Sequence, residues 1–368
     1  MHKYRVLCTI MPFLQVNKKL LLLFVFLVLL WICFYTEPSH HFSSIFIYFY
    51  KTDSIKCYRY QGETLPEIST VDVRKGKSIF FHETSCNSYI NGKIVIAARE
   101  ACAVESAALL NPDTDVYLLF TSPGVIKLEG TESDRFLKAL MSYKNVRLHH
   151  LNYKAYTKDT PLEDLYESGR IEASNYAMSH ASDVLRYLTL WKYGGIYLDL
   201  DVVVIKNLES LPPNFSGCES MENVAAGIMG FESNSSGLGN SLAEECIMDL
   251  KSHFSGTIWG NNGPGVVTRL VKKHCHVNKI KDSIGRVCDD FKIYPPETFY
   301  PIPWPSWEYY FKEKYFAKVM NATLNSYIIH VWNKHSTSLR LPLNSKSAYS
   351  MFAKKFCPKV YKECDEYF

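Results

Sequence analysis

The sequence predicts an α/β fold with a mainly parallel sheet and flanking helices, and three observations carry that expectation. Short apolar runs alternate with helical periods through the first half of the chain, the pattern of strand–helix units joined by right-handed crossovers. Of the 368 residues 47% are hydrophobic and 14% aromatic, enough for a large core, and the length alone suggests about two domains. Residues 182–208 combine an amphipathic helix, a double-glycine stop and an apolar strand that runs into Asp199-Leu200-Asp201.

Taken in order, 78–81 reads as a short strand, 97–110 as a helix with alanines on its packing side, 116–120 as a strand, 132–143 as a helix and 146–149 as a strand. In the next helix Val184, Leu188 and Trp191 recur at i, i+4 and i+7, with Ser179 or Ser182 as cap. Gly194 and Gly195 supply the left-handed exit. The second half is less regular. A strand is expected over 225–231, a helix over 243–253, a glycine-rich loop over 257–265 opening a helix over 266–274, and a strand over 327–332.

The acidic strand end carries the chemistry. Strand side chains alternate, so Asp199 and Asp201 share a face with Tyr197. Two carboxylates closing a buried strand are unfavourable unless they hold something positive. A divalent metal carrying a diphosphate fits, because ligands of open α/β sheets sit at the carboxyl ends of strands. On the helix, Asp183 and Arg186 fall on one edge, either as a substrate-facing pair or as a surface i, i+3 ion pair. The chain contains its own control. Asp113-Thr114-Asp115 repeats the spacing at the entry edge of a strand, where turn and cap chemistry is expected instead. His330 is a candidate third metal ligand or a core histidine, and Lys334 a phosphate contact or a loop lysine. Trp259, Asn261 and Asn262 offer a stacking face and two amides for a sugar, or a packed helix-entry turn.

The N-terminal region points to a membrane anchor. Residues 20–36 are apolar after Lys18 and Lys19, and the preceding tail is basic without an acid. The positive-inside rule then gives a single-pass type II topology: 1–19 cytosolic, 20–36 a transmembrane signal anchor, 37–75 a lumenal stem and 76–368 a lumenal catalytic domain. Sequons at Asn214, Asn234 and Asn321 agree with a lumenal body. Nine of the eleven cysteines follow the anchor, an odd number, so at least one is unpaired within the chain; Cys275 with Cys288 is a plausible local pair. A net charge of +4, with no basic block, gives no case for nucleic acid.

Several motifs in one order resemble the α-1,4-glycosyltransferase family: FFHET (80–84), ACAVESAA (101–108), SDVLRYLTLWKYGGIYLDLD (182–201), IWGNNGPGVVTR (258–269), FYPIPWPSW (299–307) and HVWNK (330–334). Leu200 departs from the small residue common there. The resemblance implies a GT-A-type fold, a UDP-sugar donor, Mn2+ or another divalent cation, and a retaining reaction. It implies a Golgi membrane enzyme moving galactose in α-1,4 linkage onto a glycolipid such as lactosylceramide, with a homo-oligomer or a hetero-oligomer with other Golgi transferases as its expected assembly. Rival readings are an N-acetylgalactosaminyltransferase and an inactive glycan-binding membrane protein. By position, Asp199 and Asp201 are the metal pair, Asp183 and Arg186 touch donor hydroxyls, and Phe81, Glu83 and Thr84 flank the nucleotide. Glu219 and Glu222 are the carboxylates considered as nucleophiles, with same-face attack as the other route to retention.

Overall fold

The structure is a computed structural model that describes residues 54–233 and 237–368. The strands are β1 (Ser78–Glu83), β2 (Asp115–Phe120), β3 (Val146–His150), β4 (Gly195–Leu198), β5 (Val202–Val204), β6 (Phe215–Cys218), β7 (Val224–Phe231), β8 (Val287–Cys288), β9 (Phe291–Tyr294) and β10 (Ile328–His330). Among the described residues the main sheet has eight strands in the order β3-β2-β1-β4-β7-β6-β9-β8. β3, β2, β1 and β4 run parallel, and β7 lies antiparallel between β4 and β6. β9 is parallel to β6, with β8 antiparallel beyond it. This is the expected α/β class, with a mostly parallel sheet. β5 and β10 pair separately as an antiparallel ribbon that sets His330 opposite Val202.

Both faces of the sheet are covered. The main helices are α1 (Ala98–Leu110), α2 (Glu132–Met141), α3 (Ala177–Tyr193), α4 (Leu238–His253), α5 (Pro264–His274), α6 (Ala348–Phe356) and α7 (Pro358–Lys362). Phe81, Leu118 and Phe120 pack with α1, α2 and α6 on one side. Phe80, Tyr117 and Leu119 pack with α3, α4 and α5 on the other. A strand buried on both faces tolerates the continuous apolar run seen in β1. Gly194 at φ 61° and Gly195 at φ 85° end α3 and turn the chain into β4, a backbone path that side chains with a Cβ rarely take.

Several expectations are corrected. β4 stops at Leu198, and Asp199-Leu200-Asp201 form the turn into β5, so the two acids are not placed by strand alternation. α3 starts at Ala177 with no side-chain cap, and Ser182 instead accepts a bond from Arg186 Nη2 at 3.1 Å. Residues 54–75, the second half of the expected stem, pack on the head: Ile55, Cys57, Tyr58, Leu65, Ile68 and Val73 are buried, and Cys57 is bonded to Cys86. Two further disulfides join Cys102 to Cys357 and Cys275 to Cys288, while Cys218, Cys246 and Cys364 are buried thiols.

The expected transmembrane helix, and with it the single-pass Golgi topology, is also corrected. No helix among the described residues is long and apolar enough to cross a membrane. The expected tail and span, 1–36, lie outside those residues, as does the sequon at Asn234. Asn214 is only 3% exposed and its side-chain oxygen accepts from Glu232 N at 3.0 Å. Asn321 is exposed, on the helix Phe316–Ala322.

Candidate active site

β1 and β4 end at the same edge of the sheet. Antiparallel β7 begins there too, because Leu198 pairs with Ile228 and Asp199 N donates to Gly227 O at 2.9 Å. The β5–β10 ribbon brings His330 to that edge. A cavity of about 650 Å3 opens there, with Asp183, Arg186, Asp199, Asp201, Glu219 and His330 among its lining. A larger groove, about 850 Å3, lies among Tyr58, Glu67, His150 and Tyr166. Convergent chemistry rather than size marks the site.

Asp199, Asp201 and His330 present ligand atoms within 4.8 Å of one another. His330 Nε2 lies 3.0 Å from Asp201 Oδ1 and 3.9 Å from Asp199 Oδ2. Arg186 Nη1 reaches Asp199 Oδ1 at 3.1 Å, and the Tyr197 hydroxyl donates to the same oxygen at 2.8 Å. Asp201 Oδ2 accepts from Asn333 N at 2.9 Å. Burial opposes the Asp199 charge, but Arg186 and His330 outweigh it and hold that carboxyl at about 2. Burial also opposes charge on His330, yet Asp201 and Asp199 raise it to about 10. The proton on His330 thus stands where a cation would, and a bound cation would displace it, because a ligating imidazole is neutral.

The donor set suits a hard divalent cation: two carboxylates and one imidazole. Gly227 forms part of the cradle, since a Cβ there would stand 2.7 Å from Asp199 Oδ2 and 3.3 Å from the Tyr300 hydroxyl. That hydroxyl is buried with no hydrogen-bond partner among the described residues, beside the acid pair.

Asp183 and Arg186 are not a surface pair. They are 5% and 7% exposed and lie 3.2 Å apart, Arg186 Nη2 to Asp183 Oδ1. Arg186 also donates to Ala226 O at 2.8 Å and lies over the Tyr197 ring at 4.9 Å. Burial lifts Asp183 to about 7, with Arg186 pulling against it and Asp199 adding to it. A Cβ on Gly263 would overlap the Asp183 carboxylate, so α5 can approach α3 only with glycine there.

At the end of β1 the structure separates the expected nucleotide contacts. Glu83 and Thr84 line the cavity, whereas Phe81 is fully buried in the apolar cluster under α1, α2 and α6. Glu83 Oε1 accepts from Ser85 N at 2.9 Å, and Oε2 is buried with no partner among the described residues. Burial, then nearby Glu100, raises Glu83 to about 8.

The loop 257–265 divides in the same way. Trp259 lines the cavity and is 40% exposed, with Lys334 Nζ 3.4 Å above its ring. Asn262 is fully buried, its amide exchanging bonds with Ser255 N and O at 2.9 and 2.8 Å. Asn261 donates to His253 O at 2.6 Å and accepts from Arg269 Nη1 at 3.4 Å. Both amides hold the loop, and neither lines the cavity. Glu219 lines it; Glu222 is exposed outside it.

Comparison with known proteins decides the family. Residues 235–364 match the signature described as "Alpha 1,4-glycosyltransferase conserved region", and residues 97–216 match "Glycosyltransferase sugar-binding region containing DXD motif". The chain is 33% identical to lactosylceramide 4-alpha-galactosyltransferase of Rattus norvegicus, over 88% of this chain and 87% of that one. It belongs to the α-1,4-glycosyltransferase family. The Homo sapiens lactosylceramide 4-alpha-galactosyltransferase is also 33% identical, over 79% of this chain and 78% of that protein. The Homo sapiens alpha-1,4-N-acetylglucosaminyltransferase is 29% identical, over 72% and 75% respectively.

In this α-1,4-glycosyltransferase the cavity also contains residues that the sequence did not single out. His82, Glu100, Tyr300 and Trp304 all line it. His82 is buried, bonded through Nε2 to Thr189 Oγ1 at 3.0 Å, and burial together with Arg186 lowers it to about 3. Gly227 left a sequence trace, since a glycine inside an apolar strand signals close approach of another group.

Proposed function

We propose that this enzyme is a retaining transferase that moves galactose from UDP-galactose, in α-1,4 linkage, to the terminal sugar of a glycolipid such as lactosylceramide. A divalent cation, Mn2+ foremost, is held by Asp199, Asp201 and His330. One observation carries the reading: those three side chains, from two segments far apart in sequence, converge at the carboxyl edge of the sheet with ligand atoms within 4.8 Å. The lactosylceramide 4-alpha-galactosyltransferases among its relatives support the choice of donor and acceptor.

When bound, the cation supplies Lewis-acid neutralisation of the diphosphate charge. The protein's own residues do the rest. Arg186 fixes Asp199 from one side and Asp183 from the other. Asp183, with Gly263 making room for it, faces donor hydroxyls. Glu83 and Thr84 flank the nucleotide at the end of β1. Lys334 is a point charge for the departing phosphate, and Trp259 offers a stacking face to the acceptor sugar. Retention follows from attack on the face that the diphosphate leaves. The acceptor hydroxyl's proton goes to a phosphate oxygen, the new C–O bond forms, and the bond to UDP breaks.

The test is a donor screen on the full-length protein with Mn2+ and lactosylceramide. The expected result is α-1,4 transfer from UDP-galactose well above that from UDP-N-acetylgalactosamine. No transfer from any UDP-sugar, with Mn2+ failing to promote UDP binding, overturns the reading.

A further inference from the structure

Lys334 and Trp259 meet across the mouth of the cavity. Trp259 sits on the loop 257–265 of one wall, and Lys334 on the short helical turn Asn333–Ser336 of the other. The ammonium lies 3.4 Å from the centre of the indole face. That face is the one an acceptor sugar would stack on, so the cation and the sugar compete for it.

The surroundings make this contact exchangeable. Lys334 has no carboxylate partner among the described residues, and partial burial lowers its pKa without a compensating ion pair. Its backbone is held on the N-terminal side. Asn333 N bonds Asp201 Oδ2, and Trp332 Nε1 donates to Ile302 O at 2.8 Å. Trp332 stands in the left-handed region at φ 57°, ψ 57°, a conformation a bulky residue keeps only where its surroundings hold it. Only the flexible four-carbon stem of Lys334 is therefore free to move. An exposed cation–π contact is a weak attraction, and a charge-assisted bond to a phosphate is a stronger one.

We propose that Lys334 is a removable cover on the acceptor subsite: without donor its ammonium occupies Trp259, and a nucleoside diphosphate in the cavity draws it away and bares the ring for the acceptor's terminal sugar. This rests on the donor placement proposed above. It makes donor and acceptor binding cooperative, and the coupling must be the same in both directions.

The experiment uses the full-length protein, with UDP plus Mn2+ as the donor-side probe and lactose as the acceptor-side probe. Lactose affinity is measured by calorimetry with and without UDP, and indole emission is followed during UDP titration. In the wild type UDP is expected to tighten lactose binding about fivefold or more, within the usual range of such couplings. Lys334→Gln is expected to bind lactose without UDP as tightly as the wild type does with UDP, with the coupling reduced to less than about twofold. Trp259→Phe should remove the emission change that UDP produces. Both side chains are exposed, so neither change disturbs the core. UDP binding with no effect on lactose, or full coupling retained by Lys334→Gln, overturns the cover while leaving the proposed function standing. Failure of UDP to bind the wild type with Mn2+ removes both.

Discussion

The chain contains the Asp-x-Asp spacing twice, at opposite edges of one sheet. Asp113-Thr114-Asp115 leads into β2, and Asp199-Leu200-Asp201 follows β4. Exposure does not distinguish their second members, since the side chains of Asp115 and Asp201 are 15% and 14% exposed. Partners do. Asp115 is matched by two guanidinium groups, Arg74 at 2.6 Å and Arg147 at 3.3 Å. At the other edge Asp183, Asp199 and Asp201 share Arg186 and His330, and Glu83, Glu100 and Glu219 line the same cavity. Asp115 meets two guanidinium groups, whereas Asp199 and Asp201 share their two cationic partners with Asp183 and open onto a cavity lined by further carboxyls. Sequence spacing is thus a weak guide to a cation site, and the local charge balance is a strong one.

The comparison breaks most sharply at Asp201. Asp201→Asn keeps an acceptor for Asn333 N but loses a charge, and transfer is expected to fall on the order of 10³-fold as several kcal/mol of charge stabilisation are lost. Transfer assays beside Asp115→Asn check this, and equal loss in both variants would dissolve the contrast. Next comes Gly227→Ala. The added methyl crowds Asp199 Oδ2, so Mn2+-promoted UDP binding should weaken by about 1–3 kcal/mol, read by calorimetry.

A third test uses pH. Glu83 titrates at about 8 in the folded protein against 4.5 in the open. Between those values the folded form keeps a proton that the unfolded chain has released. That group's contribution is therefore full below pH 4.5 and is lost as pH rises to about 8. Glu83→Gln should flatten this fall by about 1–3 kcal/mol at pH 8.5, measured by denaturant titration across the range; an unchanged slope would place Glu83 outside that window. The smallest effect belongs to Asp115→Asn, about 1 kcal/mol or less of stability, shrinking further in high salt, checked by thermal unfolding.

The first half of the chain was legible because its signals are local. The expected strands 116–120 and 146–149 and helix 97–110 differ from the observed elements by one residue at an end. β6 and β9 escaped notice: β6 is short, with a register shift between Ser216 and Gly217, and β9 owes its place to pairing with a strand far away in sequence. Within the site, the sequence pointed to the Asp199–Asp201 pair but misjudged its geometry, because a turn and the Gly227 cradle position the acids rather than strand parity. Phe81 was indistinguishable from a cavity residue because β1 is apolar on both faces. The adjacent amides Asn261 and Asn262 looked available, and nothing local shows that Ser255, His253 and Arg269 occupy them. Glu100 and Tyr300 reach the cavity only through tertiary packing.

The β5–β10 ribbon has a temporal consequence. During synthesis the acids of the 199–201 turn leave the ribosome long before the imidazole of His330, and that imidazole arrives only once the strand bearing it has annealed antiparallel to β5. An unfinished polypeptide therefore carries two of the three proposed ligands, and on that proposal ion capture would report that the strand bearing His330 is in place.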